Sequence, residues 1–407
     1  MNLWKAIGRR ATRLATGLAR QLLKALPLRQ DVILFESYPE LGGSPRMVCD
    51  ELRRRGLDKR YRFVWAVDAA FKAPEGFSCL PFYGDLGLRA QVRREIVLAK
   101  AKAIVDSNRF VHKLKKSTYR LQVRHGAVLK NCDWYFATMG EVDCCLTLSE
   151  NLQEADRKLF SGKPPRFAHL GYPANDQLFD KVDLQALGFW KRLTGRQERF
   201  SKIIGWLPTY RQHQGNDAIN SGTTVFPFGI PLLRTEEDFR RLNERLKRGN
   251  ILLAIQMHYA QARNFPCGKH SHIVAIDPAL KEEMHVSTFR LMQGFDAMIT
   301  DYSSAYHEFI LLDRPVAISL DDYESYAKNP GFALDFFEWI KGEYLRTAAD
   351  LERFVDNVAR GLDPAREERR AMVRKIHNHV DNQSTKRVAD FLCAEAGLSV
   401  EAPTGNG

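Results

Sequence analysis

Short apolar runs alternating with helical stretches constrain this chain more than any other feature. Asp31–Ser37 (DVILFES), Tyr61–Val67 (YRFVWAV), Ala103–Asp106 and Arg120–Val123 have the length and β-branched or aromatic content of buried strands. Helical patterns near Met47–Arg55, Leu86–Ala101 and Val111–Lys115 fall between them. Strands apolar on both faces, joined by helical crossovers, build a parallel sheet covered on both sides. After Gly171-Tyr172-Pro173 the pattern lapses, and Leu184–Lys202 reads as a charged helix without a strand. A second series opens at Ile203–Leu207 and continues through Ile251–Gln256, Ile273–Ile276, Ala297–Thr300 and Pro315–Ile318. Two α/β domains are therefore expected, residues 31–182 and 203–395, facing a cleft. A chain of 407 residues is long enough for two cores. Residues 348–393 read as helical and charged, and 396–407 as a disordered tail.

The charge is unevenly placed. The net charge is +12, and residues 1–30 carry Lys5, Arg9, Arg10, Arg13, Arg20, Lys24 and Arg29 with no acid. As a helix, this segment gathers Leu3, Trp4, Ile7, Ala11, Leu14, Ala15, Leu18, Leu22 and Leu26 into one stripe, opposite Lys5, Arg9, Arg13, Arg20 and Lys24. A basic amphipathic helix suits the plane of an anionic bilayer, so residues 1–30 are expected to dock on a membrane surface. Packing on the body of the protein and a targeting presequence are the competing readings. Apolar runs stay far short of the roughly 20 residues a spanning helix needs. The remaining residues are only mildly basic, so no nucleic-acid partner is expected. Seven cysteines without a C-x-x-C pair read as reduced and intracellular, with Cys144-Cys145 a weak candidate redox pair. His270-x-His272 and His377-x-His379 lack the partners of a zinc pattern and read as solvated histidines; no metal or other cofactor is expected.

Candidate chemistry collects at strand ends. In Ala297–Leu312 a buried strand runs through Thr300-Asp301-Tyr302-Ser303-Ser304 straight into an apolar helix. Unpaired N–H groups and two hydroxyls at a helix start can hold a phosphate. Ordinary capping by Asp and Ser is an equal alternative. Leu121–Ala127 ends a strand in His125-Gly126, where an imidazole can take a proton from an attacking hydroxyl or serve as a structural hydrogen-bonding group. Ile251–His258 ends another strand in a histidine, and Trp206–Arg211 places Thr209 and Arg211 at a third, with the guanidinium available to a phosphate. Asp321-Asp322 is explained by a surface turn. No Walker loop or G-x-G-x-x-G follows a strand.

These motifs, in this order, resemble the CDP-glycerol glycerophosphotransferases, the primases and polymerases of bacterial teichoic acids and related capsule enzymes. The matching segments are FESYPELGGSPR (Phe35–Arg46), RHGAVLK (Arg124–Lys130), GYPANDQLF (Gly171–Phe179), LPTYR (Leu207–Arg211) and ITDYSSAYHEFILLDRP (Ile299–Pro315). The resemblance implies a GT-B fold of two Rossmann-like domains, the first on the acceptor side and the second binding the CDP donor. It implies His125 as general base and His258 as a contact to the donor phosphates. Ser303, Ser304, Glu308 and Asp301 fall on the donor-binding stretch, Thr209 and Arg211 line the same cleft, and Asn175 and Asp176 match a hinge-side motif. The family usually has Thr-Pro after His-Gly, where this chain has Ala127-Val128, and Pro after the second histidine, where it has Tyr259. The implied activity moves glycerol phosphate, or a similar polyol phosphate, from a CDP-activated donor to a lipid-linked or polymeric glycan, at the cytoplasmic face of the bacterial plasma membrane. A GT-B glycosyltransferase using a nucleotide sugar and a non-catalytic assembly factor are the alternative readings.

Overall fold

The computed structural model describes residues 3–124, 126–131, 140–160, 162–197, 199–209, 224, 226–257, 265–266 and 268–400, and in the first helix the side chains of residue 12 and of 14 onward. His125, Arg211 and His258 lie outside the described residues, as does Tyr259.

The first apolar series forms one seven-stranded sheet. Its strands are β1 (Val32–Glu36), β2 (Arg62–Asp68), β3 (Cys79–Tyr83), β4 (Ala101–Asp106), β5 (Tyr119–Gln122), β6 (Cys144–Leu146) and β7 (Arg166–Ala168). They lie in the order β3-β2-β1-β4-β5-β6-β7, with every pairing parallel. The second series forms a parallel six-stranded sheet from β8 (Lys202–Trp206), β9 (Ile251–Ile255), β10 (Ile273–Ala275), β11 (Ala297–Thr300), β12 (Val316–Ser319) and β13 (Glu343–Leu345), ordered β10-β9-β8-β11-β12-β13. Every residue of β1, β9, β11 and β12 is buried, as strands covered on both faces must be. Each sheet reverses its order once, between β1 and β4 in the first and between β8 and β11 in the second. Crevices for ligands open at such reversals, outside the carboxyl ends of the strands.

Two expected helices are altered. Residues 111–115 form no helix, because the Val111 N–H is tied to the Asp106 carboxylate at 3.2 Å and Lys113 is drawn to Asp143 at 2.8 Å. Among its described residues, the stretch 184–202 is helical only over Phe189–Thr194, bounded by Gly188 at φ 74° and Gly195 at φ 71°. Left-handed glycines end helices, and these two cut the charged stretch into turns.

The carboxyl terminus also departs from expectation. Helix Ser384–Ala396 returns to the first sheet's side, where Val388, Ala389, Leu392 and Ala396 join its core and Arg166 pairs with Glu395 at 2.8 Å. Residues 396–400 are therefore not a loose tail: Leu398 is buried, and the Ser399 hydroxyl accepts from Arg60 at 2.8 Å. Residues 401–407 lie outside the described residues.

The amino-terminal helix, Leu3–Ala25, packs on helix Leu88–Lys100 by its polar side. Thr16 bonds Gln91 at 3.0 Å, Arg20 makes two bonds to buried Glu95 at 3.0 and 2.9 Å, and Leu23 meets the core. Leu14, Leu18, Leu22 and Leu26 remain 65%, 68%, 67% and 48% exposed. The helix thus packs on the body and still presents Leu14, Leu18 and Leu22 outward. Among the described residues no helix is long and apolar enough to cross a membrane.

Candidate active site

The reversal of the second sheet is built by two of the motifs. Beyond β11, the Asp301 carboxylate is fully buried and accepts the Thr209 N–H at 2.9 Å and the Thr209 hydroxyl at 2.5 Å, while the Thr300 hydroxyl donates to the Leu207 carbonyl at 3.1 Å. Asp301 therefore anchors the loop after β8. A buried carboxylate needs such donors, and in holding them Asp301 acts as a brace for that loop. Tyr302 is buried as well. Its hydroxyl donates to Asp322 at 2.8 Å, and its ring lies 4.1 Å from Tyr326 and 5.5 Å from Phe332, centroid to centroid. Asp322 is thereby structural, and Asp321 accepts the Leu232 N–H at 2.8 Å.

The two serines divide between the two readings of the helix start. Ser303 Oγ accepts from the Ala305 N–H at 3.3 Å, a local cap. Ser304 makes no side-chain cap bond to helix Ala305–Phe309, and its hydroxyl turns instead toward the first domain. There it meets Gly126, the residue after His125. A Cβ on Gly126 would lie 2.5 Å from Ser304 Oγ, 2.9 Å from Ser304 Cβ and 3.9 Å from Glu308 Oε1. The bare glycine is what lets the loop after β5 approach the TDYSS turn, so the structure brings Ser304, Glu308 and Gly126 to one place. Glu308 is buried, and burial pushes its carboxyl up to about 8, leaving it a neutral hydrogen-bonding acid at pH 7.

A backbone clasp closes the same region. The Ala333 N–H donates to the Leu129 carbonyl at 3.0 Å and the Asn131 N–H to the Gly331 carbonyl at 3.2 Å, joining the segment after Gly126 to the second domain.

The residues on either side of position 125 are held from behind. Arg124 sits at φ 55°, a region disfavoured for residues with a Cβ. Its N–H donates to Gln122 Oε1 at 2.8 Å, its guanidinium to the Gly126 carbonyl at 3.3 Å, and Nη1 lies 3.0 Å from buried Asp156 of helix Glu150–Lys158. Burial lifts the Asp156 carboxyl above its usual range against the pull of Arg124. A second unforeseen group is Lys281, which bonds Gln256, just beyond β9, at 3.0 Å and Thr288 at 3.1 Å with no carboxylate partner among the described residues; burial lowers its ammonium to about 8. In a chain this rich in charge, neither residue carries a local pattern that singles it out.

Asn175 and Asp176 lie in a buried turn that meets the returning helix. Asp176 accepts the N–H groups of Ser384 at 3.0 Å and Thr385 at 2.8 Å, capping the returning helix, and neighbouring Gln177 accepts from Ser287 at 2.7 Å. Asn175 donates its N–H to the Tyr172 carbonyl at 2.9 Å within the same buried turn. One histidine of each pair is not solvated: His272 is buried with its backbone N–H on Asn243 at 3.0 Å, and His377 is buried with Nε2 2.8 Å from the His307 carbonyl, while His270 and His379 are half-buried. Cys144 and Cys145 are buried free thiols in β6, pushed by burial up to about 11 and about 12.

The order of these motifs along two reversed sheets matches one family. Its model, CDP-Glycerol:Poly(glycerophosphate) glycerophosphotransferase, covers residues 18–394. The chain belongs to this family. It is 25% identical over 352 residues to the teichoic acid poly(glycerol phosphate) polymerase of Bacillus subtilis (strain 168), covering 80% of this chain and 43% of that protein. A polymerase of the same name from Bacillus spizizenii is 27% identical over 80% of this chain and 83% of its own length. The teichoic acid glycerol-phosphate transferase of Staphylococcus aureus is 22% identical, over 91% and 95%. The chain thus spans under half of the first polymerase and nearly all of the third relative. Among solved structures, the wall teichoic acid polymerase TagF soaked with CDPG superposes with a TM-score of 0.73 at 19% identity, over 98% of this chain and 97% of that one. The GT-B-like pair of Rossmann-like domains in this glycerophosphotransferase family member is the fold of that polymerase.

Proposed function

We propose that this chain transfers glycerol phosphate, or a similar polyol phosphate, from a CDP-activated donor to a hydroxyl of a cell-envelope glycan, releasing CMP. The observation that carries the reading is the convergence of Gly126, Ser304 and Glu308 at the reversal of the second sheet, in a chain of this family. His125 takes the proton of the acceptor hydroxyl, whose oxygen attacks the donor's β-phosphorus. The bond from that phosphorus to the bridging oxygen breaks, and CMP leaves with the electron pair. Ser304 and the turn before helix Ala305–Phe309, with His258 and Arg211, hold the pyrophosphate as charge moves onto it. Glu308 supplies a neutral donor beside them, and Lys281 a cation at the edge of the same sheet. Thr209 positions the loop leading to Arg211.

General-base assistance is worth roughly 10²–10⁴-fold. His125→Ala is expected to lose that much of the transfer from radiolabelled CDP-glycerol while still binding it in calorimetry. Near wild-type turnover by the variant would remove the base assignment, and turnover of a UDP-sugar in place of every CDP-polyol would sink the donor class.

The same reading places the enzyme peripherally on the cytoplasmic face of the plasma membrane. Leu14, Leu18 and Leu22 left exposed on the helix, and Leu26 just beyond it, in an acid-free, basic segment support it, since each cation near an anionic surface adds about 1 kcal/mol. Serine at Leu14, Leu18, Leu22 and Leu26 is expected to abolish sedimentation with anionic vesicles while leaving CDP-glycerol binding unchanged. Undiminished sedimentation would exclude the helix as the anchor.

A further inference from the structure

Helix Ala305–Phe309 carries Glu308 and follows Ser304, so its placement against the first domain sets the approach to Gly126. We propose that His377 is a positioning residue for the transfer reaction, its imidazole tying that helix to the segment 375–379 that crosses between the two domains. The inference rests on the transferase reading above.

The crossing segment is fastened at both ends. It leaves helix Arg366–Ile376, which the second domain holds through Arg369 and Arg370, paired with Asp313 at 3.1 and 2.8 Å. It leads to helix Ser384–Ala396 on the first sheet's side. Between them it meets the residues just beyond β6 and β7. The Lys375 carbonyl accepts from the Ser149 hydroxyl at 3.3 Å and from Asn151 Nδ2 at 2.8 Å. The Asn378 N–H donates to the Leu148 carbonyl at 3.1 Å, its side chain donates to Glu150 at 2.8 Å, and His379 Nε2 lies 3.0 Å from the His169 carbonyl. Residues 148–151 lead into helix Glu150–Lys158, the helix that presents Asp156 to Arg124.

His377 supplies the link to the other half of the site. It is buried, with Nε2 2.8 Å from the His307 carbonyl. A carbonyl only accepts, so Nε2 bears the proton. Burial lowers the imidazole to about 4, so the ring is neutral at pH 7 and the bond does not depend on its titration there. A ring of contacts then closes around the site. The Gly126 carbonyl is bound by Arg124, Arg124 by Asp156, helix Glu150–Lys158 by the crossing segment, and His307 by His377, while Ser304 stands against Gly126. Cutting the ring at His377 leaves each domain folded, because the Tyr306 hydroxyl still bonds the Lys341 carbonyl and N–H at 3.0 and 2.8 Å. What is lost is the register between the donor-side groups and the loop after β5.

The test compares two replacements of His377 in the full chain. Leucine fills the buried space without a donor, whereas glutamine keeps an N–H near the place of Nε2. His377→Leu is expected to lower kcat for transfer from CDP-glycerol about 30-fold, since misplacing reacting groups by about 1 Å costs on the order of 10²-fold. The Kd for CDP-glycerol is expected to stay unchanged, because the donor contacts remain together in the second domain. His377→Gln is expected to keep kcat within threefold of wild type. Hydrogen exchange read by mass spectrometry at Ala333, whose N–H bonds across to Leu129, is expected to quicken in His377→Leu and not in His377→Gln. Should the leucine variant not fold, His377→Asn, whose amide stops a bond length short, is expected to show the same loss of kcat and the same faster exchange. A donor-less variant with kcat within threefold of wild type, equal losses in the glutamine variant, or unchanged exchange at Ala333 would overturn the proposal. Wild-type protein inactive with every CDP-polyol would sink the transferase reading instead, and the exchange comparison would still decide whether His377 holds the domains in register.

Discussion

Gly126→Ala is expected to reduce glycerol phosphate transfer by about 100-fold without unfolding the protein. The glycine is not needed for its backbone angles, because its φ lies outside the left-handed region; only space is at stake. The added methyl would stand 2.5 Å from Ser304 Oγ and 2.9 Å from Ser304 Cβ. Rotating the hydroxyl away relieves the first contact but not the second, so the loop after β5 must retreat from the TDYSS turn. A displacement of about 1 Å between reacting groups costs on the order of 10²-fold in rate. The clasp at Leu129–Ala333 and Asn131–Gly331 keeps the retreat local, so the melting temperature is expected to fall only slightly. The double variant Gly126→Ala/Ser304→Gly restores the space and is expected to regain part of the loss. Full activity in the single variant would mean that the close approach has no part in catalysis.

How much of this was legible beforehand follows from which interactions are local. β1, β9 and β11 announce themselves because strands buried on both faces need apolar runs. The three-residue strands β6, β7 and β13 do not, for CCL, RFA and EYL are too short to show a period. The charged stretch from Leu184 misleads because its composition favours a helix while Gly188 and Gly195 set the chain geometry. Asp176 could not be read at all: its partners begin at Ser384, 208 positions away. At the site, Ser303 and Ser304 look alike in sequence, and only the approach of Gly126 from the other domain separates a cap from a group facing the cleft. The same holds for Arg124, whose importance rests on an acid contributed by another helix.

That acid provides the largest expected effect on stability. Asp156→Ala leaves the Arg124 guanidinium buried without its counter-charge, and stranding one member of a buried ion pair costs about 3–5 kcal/mol. A urea melt is expected to show a correspondingly lower midpoint, with transfer activity lost below it as well. Removing both charges separates folding from positioning. In Arg124→Met/Asp156→Leu no charge is stranded, and apolar replacement of a buried pair is close to neutral in stability, so the midpoint is expected to recover. Activity is not expected to follow it. Arg124 is left-handed and its guanidinium ties it to the Gly126 carbonyl, and neither methionine nor leucine replaces the bond. The double variant is therefore expected to keep the wild-type Kd for CDP-glycerol and a low kcat, a split that loss of packing alone would not produce. A double variant with wild-type kcat would show that the pair stabilises the fold and nothing more.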